Sequence, residues 1–339
     1  MSGDRRTQAL FLGSDSIAVP LLELLFEAGT EGVALAGVMT QPDRPAGRGK
    51  QLTPNAIKRW ALERDLPVWQ PEKPGAKEEA LLRELGIELV LVMAYGHLLR
   101  RSFLETPARG TFNLHTSLLP AYRGASPIQA AVASGDRETG VSLMRMVPGM
   151  DAGPVVDSKR VPVGRTETAL DVEAKLAQAC VPLVSRNLAD LLTGTARENE
   201  QDERRATYSR KLVKADGVLD FSRPAETLAH RVNALYPWPG VRVMCGETPV
   251  RAGRADWDAA PAGAAPGTIL GIRDGGLGVA TGEGALLLLA LQRPGGRMLS
   301  ATDFLRGFPI APGAVLPSQP MPELVRPTPF PGPRRSGTP

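Results

Sequence analysis

The chain has 339 residues, with 40 Lys and Arg against 36 Asp and Glu, which gives a net charge of +4. This length exceeds what one ordinary core covers, so two domains are expected. Two cysteines exclude a disulfide framework or a four-thiolate zinc site, and the longest apolar run, residues 285–291, is too short to cross a bilayer. No signal-peptide core follows Arg5 and Arg6, so the sequence predicts a cytoplasmic protein without membrane contact.

The first part of the chain, to about residue 187, alternates short apolar β-type runs with amphipathic stretches. Strands are predicted at residues 9–12, 33–39, 67–70, 88–95, 110–115 and 141–147. Helices are predicted at residues 20–28, 55–64, 77–85 and 127–134. Buried strands that alternate with helices indicate an α/β fold, with a mostly parallel sheet covered on both faces and ligands bound beyond the carboxyl ends of the strands.

The pattern changes after residue 194. Residues 195–214 are polar and charged and lack apolar periodicity, which is typical of a linker. A helix at 225–235 is followed by short strands broken by Gly and Pro, at residues 241–244, 249–252, 268–270, 277–280 and 285–291. Such spacing predicts a small barrel or sandwich in a second domain, residues 215–306, after a first domain of residues 1–194. The tail, residues 307–339, holds 10 of the 31 prolines and is expected to be unstructured or extended.

The sequence lacks the motifs of several common enzyme classes. The turn after the first strand, Gly13-Ser14-Asp15-Ser16-Ile17, has no second glycine to admit a pyrophosphate. Residues 47–50 lack the upstream glycine of a phosphate loop. The three histidines have neither metal-ligand spacing nor a nearby cysteine, so no metal is expected. Gly124-Ala125-Ser126 is not followed by the second glycine of a nucleophile elbow. Redox, nucleotide-hydrolysis, zinc and serine-hydrolase functions are therefore disfavoured.

Three polar side chains stand near the ends of two predicted strands. Alternation along the strand at 110–115 places Asn113 and His115 on the same face, and Asp151 follows the strand at 141–147. An amide donor and an imidazole suit acyl transfer, in which one stabilises an oxyanion and the other moves a proton. Each residue alone also fits a structural role, as a loop cap, a hydrogen-bonding histidine or a turn former. Taken together, the three residues fit a catalytic site as well as they fit these structural roles.

The motifs around these residues resemble the formyltransferase family. The similarity is carried by Asn113 to Pro120, by Tyr122-Arg123-Gly124-Ala125-Ser126-Pro127-Ile128-Gln129 and by Met150-Asp151-Ala152-Gly153. It implies a formyl donor, 10-formyltetrahydrofolate, and a catalytic trio of Asn113, His115 and Asp151. It also implies a Rossmann-like domain followed by an OB-like β-barrel. The folate contacts that it implies are Ser117, Leu118, Leu119, Pro120, Ala94, Tyr95 and Gly96.

A narrower resemblance points to the branch of the family that acts on methionyl-tRNA. It is carried by the basic loop from Thr40 to Lys50, by Tyr208 to Leu212 and by Asn233 to Pro239. It implies initiator methionyl-tRNA as the acceptor, for translation initiation, and a monomer with no obligate protein partner. The tRNA contacts that it implies are Arg44, Arg48 and Lys50, and the charge of the linker adds Arg210 and Lys211 as candidates for phosphate contacts further along. For the two linker residues, a solvated charged segment fits equally well.

Some features depart from the family pattern, and some alternatives stay open. Residues 14–17 replace the usual Thr-Pro-x-Phe, and Thr116 stands where Gly or Ala is usual, which bears on folate affinity. Other members of the family formylate glycinamide ribonucleotide, an amino-sugar nucleotide or water. A different class is a nonenzymatic RNA-binding protein. The stretch 241–291 has Trp257 as its single aromatic, which makes poor stacking platforms for RNA.

Overall fold

A computed structural model of the chain is described over residues 6–27, 32–46 and 51–331. The chain forms two compact units. Unit 1 comprises Met1–Arg123, Gly140–Val161 and Ala174–Ala206, and unit 2 comprises Gly124–Thr139, Pro162–Glu173 and Thr207–Pro339. Two segments expected in the first domain thus group with unit 2, where the helix within residues 124–139 packs against the helix at residues 225–235.

The strands of the described ranges are numbered in chain order. They are β1 (Thr7–Gly13), β2 (Val33–Met39), β3 (Arg44–Ala46), β4 (Gln51–Thr53), β5 (Val68–Trp69), β6 (Leu89–Met93), β7 (Gly110–His115), β8 (Arg123–Gly124), β9 (Glu138–Arg145), β10 (Val155–Pro162), β11 (Tyr208–Ser209), β12 (Val241–Cys245), β13 (Thr248–Asp258), β14 (Ile269–Arg273), β15 (Gly276–Ala280), β16 (Ala285–Gln292), β17 (Leu299–Ser300) and β18 (Val325–Arg326).

The helices begin at residues suited to capping. Asn55 accepts the amide hydrogen of Lys58 at 3.0 Å before the second helix, and Pro127 opens the fifth, where its missing N–H costs nothing. The helices are α1 (Val19–Glu27), α2 (Ala56–Leu62), α3 (Ala76–Glu84), α4 (Arg101–Leu104), α5 (Pro127–Ala133), α6 (Ala169–Thr193), α7 (Ala225–Leu235) and α8 (Ala301–Gly307). Over the described ranges, none of them combines the length and the apolar character that crossing a membrane requires.

Unit 1 is built on a mostly parallel sheet with the strand order β10-β9-β7-β6-β1-β2-β5. β1 is parallel to β2 and β6, and β6 is parallel to β7, whereas β9 runs antiparallel to β7. All five residues of β6 are buried, as expected for a strand covered by helices on both faces. The strand order reverses direction between β1 and β6, so their carboxyl ends form the crevice where folds of this class bind ligands.

Unit 2 contains an antiparallel sheet with the order β12-β13-β16-β15-β14, and β17 pairs with β16. Neighbouring strands along this path are antiparallel. Helix α7 packs against β13 and β16, and its Leu228, Val232 and Leu235 are completely buried in the same core as Val250 and Leu288. The predicted fold class, a mostly parallel α/β sheet followed by an antiparallel β domain, is confirmed.

The proline-rich segment is packed as far as residue 331. Leu316 and Leu324 are buried in the core of unit 2, and β18 pairs with β11. Disorder is therefore the wrong expectation for this stretch, while an extended conformation is what the structure shows. The physical reason is that its leucines fill core positions and its extended backbone pairs with neighbouring strands, as in the 2.8 Å bond from the Leu316 amide to the Gly267 carbonyl. Residues 332–339 lie outside the described ranges.

A buried arginine ties this segment to α7. Arg231 has 6% of its surface exposed, and burial lowers the pKa of its guanidinium to about 10. Its three nitrogens donate to the backbone carbonyls of Val218 at 3.2 Å, Pro322 at 3.1 Å and Asp216 at 2.8 Å. A buried charge is tolerated where every donor has a partner, and these carbonyls supply that partnership.

Candidate active site

His115 is the last residue of β7, and 6% of its side chain is exposed. Its Nε2 lies 3.0 Å from the backbone oxygen of Tyr122. Because a carbonyl oxygen only accepts hydrogen bonds, Nε2 carries the hydrogen and donates it. Nδ1 lies 3.8 Å from Oδ2 of Asp151. The structure therefore brings two of the three predicted catalytic residues within one contact distance.

Asn113 lies two residues earlier on the same strand, so its side chain shares a face with His115. It is half-buried, and its backbone stands opposite Val92 on β6 and Met144 on β9. Within the part of the chain that the structure describes, the carboxamide makes no hydrogen bond to another residue. A half-buried amide on the same face as an imidazole, with N–H groups that make no hydrogen bond to the described residues, is suited to bind a substrate oxygen.

Asp151 lies on the loop between β9 and β10, with 19% of its side chain exposed. Its φ of 47° is in the left-handed region, which aspartate enters only at some conformational cost. The sequence predicts that it follows the strand at residues 141–147, and it lies on the loop after β9. This strand is antiparallel to β7, and the loop carries the carboxylate to His115.

The four residues expected to contact folate, Ser117 to Pro120, follow β7 directly. The Ser117 hydroxyl is buried and donates to the carbonyl of Ala121 at 2.6 Å. Ser142, opposite His115 on β9, donates to the Ser117 carbonyl at 2.8 Å and accepts the Leu119 amide at 3.1 Å. Leu118, Leu119 and Pro120 remain half-exposed. A serine on the neighbouring strand thus fixes this loop, a role that no motif in the sequence indicates.

The other expected folate contacts, Ala94, Tyr95 and Gly96, follow the carboxyl end of β6. The Ser14 hydroxyl donates to the Tyr95 carbonyl at 3.3 Å and accepts the Gln41 amide at 3.1 Å. The Gln41 carboxamide donates to the same Tyr95 carbonyl at 2.9 Å. The turn that departs from the family pattern therefore still anchors this segment. Gly96 has a φ of 76°, a left-handed backbone that favours glycine, and a Cβ there would lie 2.5 Å from the side-chain nitrogen of Gln41 and disturb its bond to Tyr95.

The Tyr95 side chain is buried, with 2% of the residue exposed. Burial raises the pKa of its phenol, so the hydroxyl keeps its hydrogen at neutral pH. This hydroxyl has no hydrogen-bond partner among the described residues, and neither does the buried Nε2 of His97, whose ring lies 5.1 Å from that of Tyr95. The pKa of His97 is lowered, mainly by burial and to a lesser extent by the positive charge of Arg44.

The residues expected to bind tRNA differ in their surroundings. Arg44 is exposed on the β3–β4 hairpin and pairs with the exposed Glu72 at 3.2 Å. Arg48 and Lys50 lie outside the described ranges. In unit 2, Lys211 is exposed. Arg210 instead donates to both carboxylate oxygens of Asp216, at 3.0 and 2.6 Å, so its charge is matched inside the fold rather than offered to solvent.

The carboxylate of Asp216 is completely buried. Burial alone raises the pKa of an aspartate, but the hydrogen bonds from Arg210 and from the Val213 amide outweigh it, so the pKa of Asp216 is lowered overall. Across the described residues, no group of three or more His, Cys, Asp or Glu side chains is arranged to hold a metal ion.

Two family models match this chain. The model of the family "Formyl transferase" matches residues 7–188, and that of "Formyl transferase, C-terminal domain" matches residues 211–309. The chain is 44% identical over 304 residues to the methionyl-tRNA formyltransferase of Halorhodospira halophila, covering 90% of this chain and 97% of that one. It is 43% identical to the enzyme of the same name from Granulibacter bethesdensis, covering 92% and 97%.

Solved structures share the fold. The N-formyltransferase of Helicobacter canadensis, in complex with folinic acid and dTDP-3-aminofucose, superposes with a TM-score of 0.64 at 15% identity, covering 85% of this chain and 99% of that one. The sugar 3N-formyl transferase WlaRD, solved with dTDP and 5-N-formyl-THF, gives a TM-score of 0.63 at 14% identity, covering 85% and 98%. By both of its domains and by its relatives over nine-tenths of its length, the chain belongs to the formyl transferase family.

Proposed function

We propose that this chain transfers the formyl group of 10-formyltetrahydrofolate to the free amino group of methionyl-tRNA(fMet), giving the formylated initiator for translation. The observation that carries the proposal is that His115 lies close to Asp151 and shares a strand face with the Asn113 carboxamide. The chain is also 44% identical to a methionyl-tRNA formyltransferase. Catalysis is assigned to residues 1–194, in the cytoplasm where the initiator is used, by a monomer.

Asn113 supplies electrostatic stabilisation. When the amine attacks, negative charge grows on the formyl oxygen, and the Asn113 amide hydrogens are free to meet it. Removal of one such preorganised donor costs about 2.7–4 kcal/mol of barrier height. Because the backbone of Asn113 is held between β6 and β9, the side chain needs little reorganisation as the charge develops.

His115 and Asp151 manage the proton. Nε2–H is already engaged by the Tyr122 carbonyl, so Nδ1 is the ring atom available to gain or lose a proton. The separation of 3.8 Å between Nδ1 and Oδ2 of Asp151 is longer than a hydrogen bond, so Nδ1 makes no direct bond to that oxygen and can bond a reacting group instead. The Asp151 carboxylate faces Nδ1, so the two side chains can pass a proton to or from the reacting groups beside the neutral Asn113 amide.

The residues after β6 and β7 fit a folate. The half-exposed Leu118, Leu119 and Pro120 present apolar surface on a loop fixed by Ser142, which suits one face of a flat ring system. The formyl donor supplies the electrophilic carbon. The chain holds the donor through the loops at the carboxyl ends of β6 and of its neighbour β7, the strand that carries Asn113 and His115.

The acceptor is a large polyanion, so basic side chains must hold it. The exposed Arg44 and Lys211 support this assignment, together with the sequence match that includes Arg48 and Lys50. Contacts of this kind are tolerant of sequence and sensitive to salt. For Arg210, the bidentate pair with Asp216 favours a structural role in the segment that presents Lys211.

A comparison of acceptors tests the proposal. The purified chain is given 10-formyltetrahydrofolate with methionine-charged initiator tRNA, with uncharged tRNA or with a dTDP-linked amino sugar, and the formylated products are separated by mass. We expect formyl transfer to the charged tRNA alone. Transfer to the amino sugar, or release of formate to water, would identify a different acceptor. Binding of tRNA without transfer, unchanged in His115→Ala, would favour a nonenzymatic RNA-binding protein.

A further inference from the structure

Arg123 is a fully buried arginine in unit 1 that none of the roles above uses, with 2% of its side chain exposed. Its guanidinium is held on one side by Glu203, with Nη1 and Nη2 donating to the two carboxylate oxygens at 2.9 and 2.6 Å. This contact lowers the pKa of Glu203. On the other side, Nε and Nη2 donate to the side-chain oxygen of Gln201 at 3.2 and 2.9 Å. The Arg123 guanidinium is thus held in one position by Gln201 and Glu203.

Gln201 passes this restraint on to the loop that carries Asp151. Its amide nitrogen donates to the backbone carbonyl of Asp151 at 2.8 Å and to that of Gly153 at 2.7 Å. With two bonds on its oxygen and two on its nitrogen, the carboxamide uses its full hydrogen-bonding capacity. It therefore fixes two carbonyls of a loop in which Asp151 has the unfavourable left-handed backbone conformation.

The same arginine also limits the position of His115. The preceding residue, Tyr122, supplies the carbonyl that receives Nε2–H of His115, and Tyr122 too has a left-handed backbone, with φ 59°. A buried guanidinium with bidentate partners allows its own backbone little freedom, and the carbonyl of the residue before it moves with that backbone. The Arg123 side chain thus restrains both groups that face the His115 ring, the Tyr122 carbonyl at Nε2 and, through Gln201, the Asp151 loop at Nδ1.

From these contacts we propose that Gln201 and Arg123 are positioning residues, which hold the Asp151 carboxylate at the distance from His115 that formyl transfer requires. This inference rests on the proposed function of the trio. The polarity of the contacts makes an amide necessary at position 201, since one end must accept from arginine and the other must donate to carbonyls. A glutamate has the same shape and pairs with Arg123, but it places an oxygen against the two carbonyls with no hydrogen to donate.

A double-mutant cycle separates positioning from a merely structural role. Gln201→Met is made in the wild type and in Asp151→Ala, and single-turnover rates of formyl transfer are measured with charged initiator tRNA. We expect Gln201→Met alone to slow the chemical step by about 10- to 100-fold, since a misplacement on the order of 1 Å costs about that much. The KM for the formyl donor should stay within about twofold. In the Asp151→Ala background, Gln201→Met should slow the chemical step by less than about threefold.

Two further variants keep the test decisive. Gln201→Glu retains the pairing with Arg123, so it supplies the folded comparison if Gln201→Met unfolds, and it should lose rate in the same range. Asp202→Asn alters the neighbouring residue, which contacts Arg204, and should leave the rate unchanged within about twofold. An equal proportional loss from Gln201→Met in both backgrounds, or a rise in KM at constant rate, would overturn the proposal.

A readout without catalysis distinguishes this inference from the proposed function. Amide hydrogen exchange of residues 149–153 should accelerate in Gln201→Met and not in Asp202→Asn, because the loop loses two hydrogen bonds only in the first. If the wild type formylates no methionyl-tRNA, the proposed function fails. Accelerated exchange would then still support the restraint of the loop by Gln201, and unchanged exchange would refute that restraint as well.

Discussion

The steric position of Gly153 makes it the most sensitive small residue near the candidate site. A Cβ added there would lie far closer than 3.0 Å to the backbone oxygen of Arg145, and real Cβ atoms essentially never approach that closely. This oxygen belongs to the last residue of β9, whose amide also donates to the Pro154 carbonyl at 2.9 Å. The backbone oxygen and the backbone amide of Arg145 are both held in the sheet and cannot rotate away as a flexible side chain would. Gly153→Ala must therefore displace the loop that carries Asp151, two residues earlier.

The size of the effect follows from the displacement. To restore an acceptable contact the loop must move by on the order of 1 Å, and a shift of that size at a catalytic group costs about 100-fold in rate. This corresponds to about 2.7 kcal/mol of transition-state stabilisation. The carboxylate of Asp151, now 3.8 Å from Nδ1 of His115, would leave the range in which it supports the imidazole.

The assay is the kcat and KM of formyl transfer to charged initiator tRNA, with Gly149→Ala as the matched control in the same loop. A Cβ at Gly149 would lie 3.2 Å from the Cβ of Ala152, which a small adjustment relieves, and in ordinary contact with Val147 at 4.0 Å. We expect Gly153→Ala to lose about 100-fold in kcat and Gly149→Ala less than about threefold. Equal activity of the two variants would refute the steric argument.

Three other predictions concern the rest of the chain. Arg231→Met should destabilise unit 2 by about 3 kcal/mol in urea unfolding, because three carbonyls lose their donor, whereas the exposed Arg223→Met should change it by less than about 0.5 kcal/mol. The lowered pKa of Asp216 means that its contribution to stability is present above the unfolded value of 3.8 and is lost as the pH falls through the lower folded value, so the stability gap between wild type and Asp216→Asn should close below about pH 4. Arg48→Ala should cripple turnover on charged tRNA and leave folate binding intact; equal loss of both would indicate misfolding.

The sequence predicts elements best where burial leaves a local pattern. The strand β6 (Leu89–Met93) is buried at every position, and its continuous apolar run marks it within residues 88–95. The hairpin of β3 and β4 is not predicted, because Gln51–Thr53 is exposed throughout and carries no apolar run. Helix α6 is also missed: it contains Pro182, and a proline within a run is normally a sign that a helix ends.

Periodicity carries no information about strand direction or about distant partners. It places Asn113 and His115 on one face correctly, but it does not show that β9 is antiparallel and that a loop delivers Asp151. Gln201 leaves no local signal, since its contacts reach 50 residues back to Asp151 and 78 back to Arg123.

Charge is similarly ambiguous in a sequence. Arg210 and Lys211 are adjacent basic residues in a polar segment, and nothing local separates their roles. The structure separates them, because a buried aspartate six residues later takes the first and leaves the second exposed.

The single-turnover rate of Asp151→Asn on charged initiator tRNA tests the assignment of the trio most directly. The substitution keeps the shape of the side chain and removes the charge opposite Nδ1 of His115. If carboxylate, imidazole and carboxamide act together on one formyl group, the chemical step should slow by at least about 100-fold while folate binding changes by less than about twofold. A rate near that of the wild type would contradict the assignment.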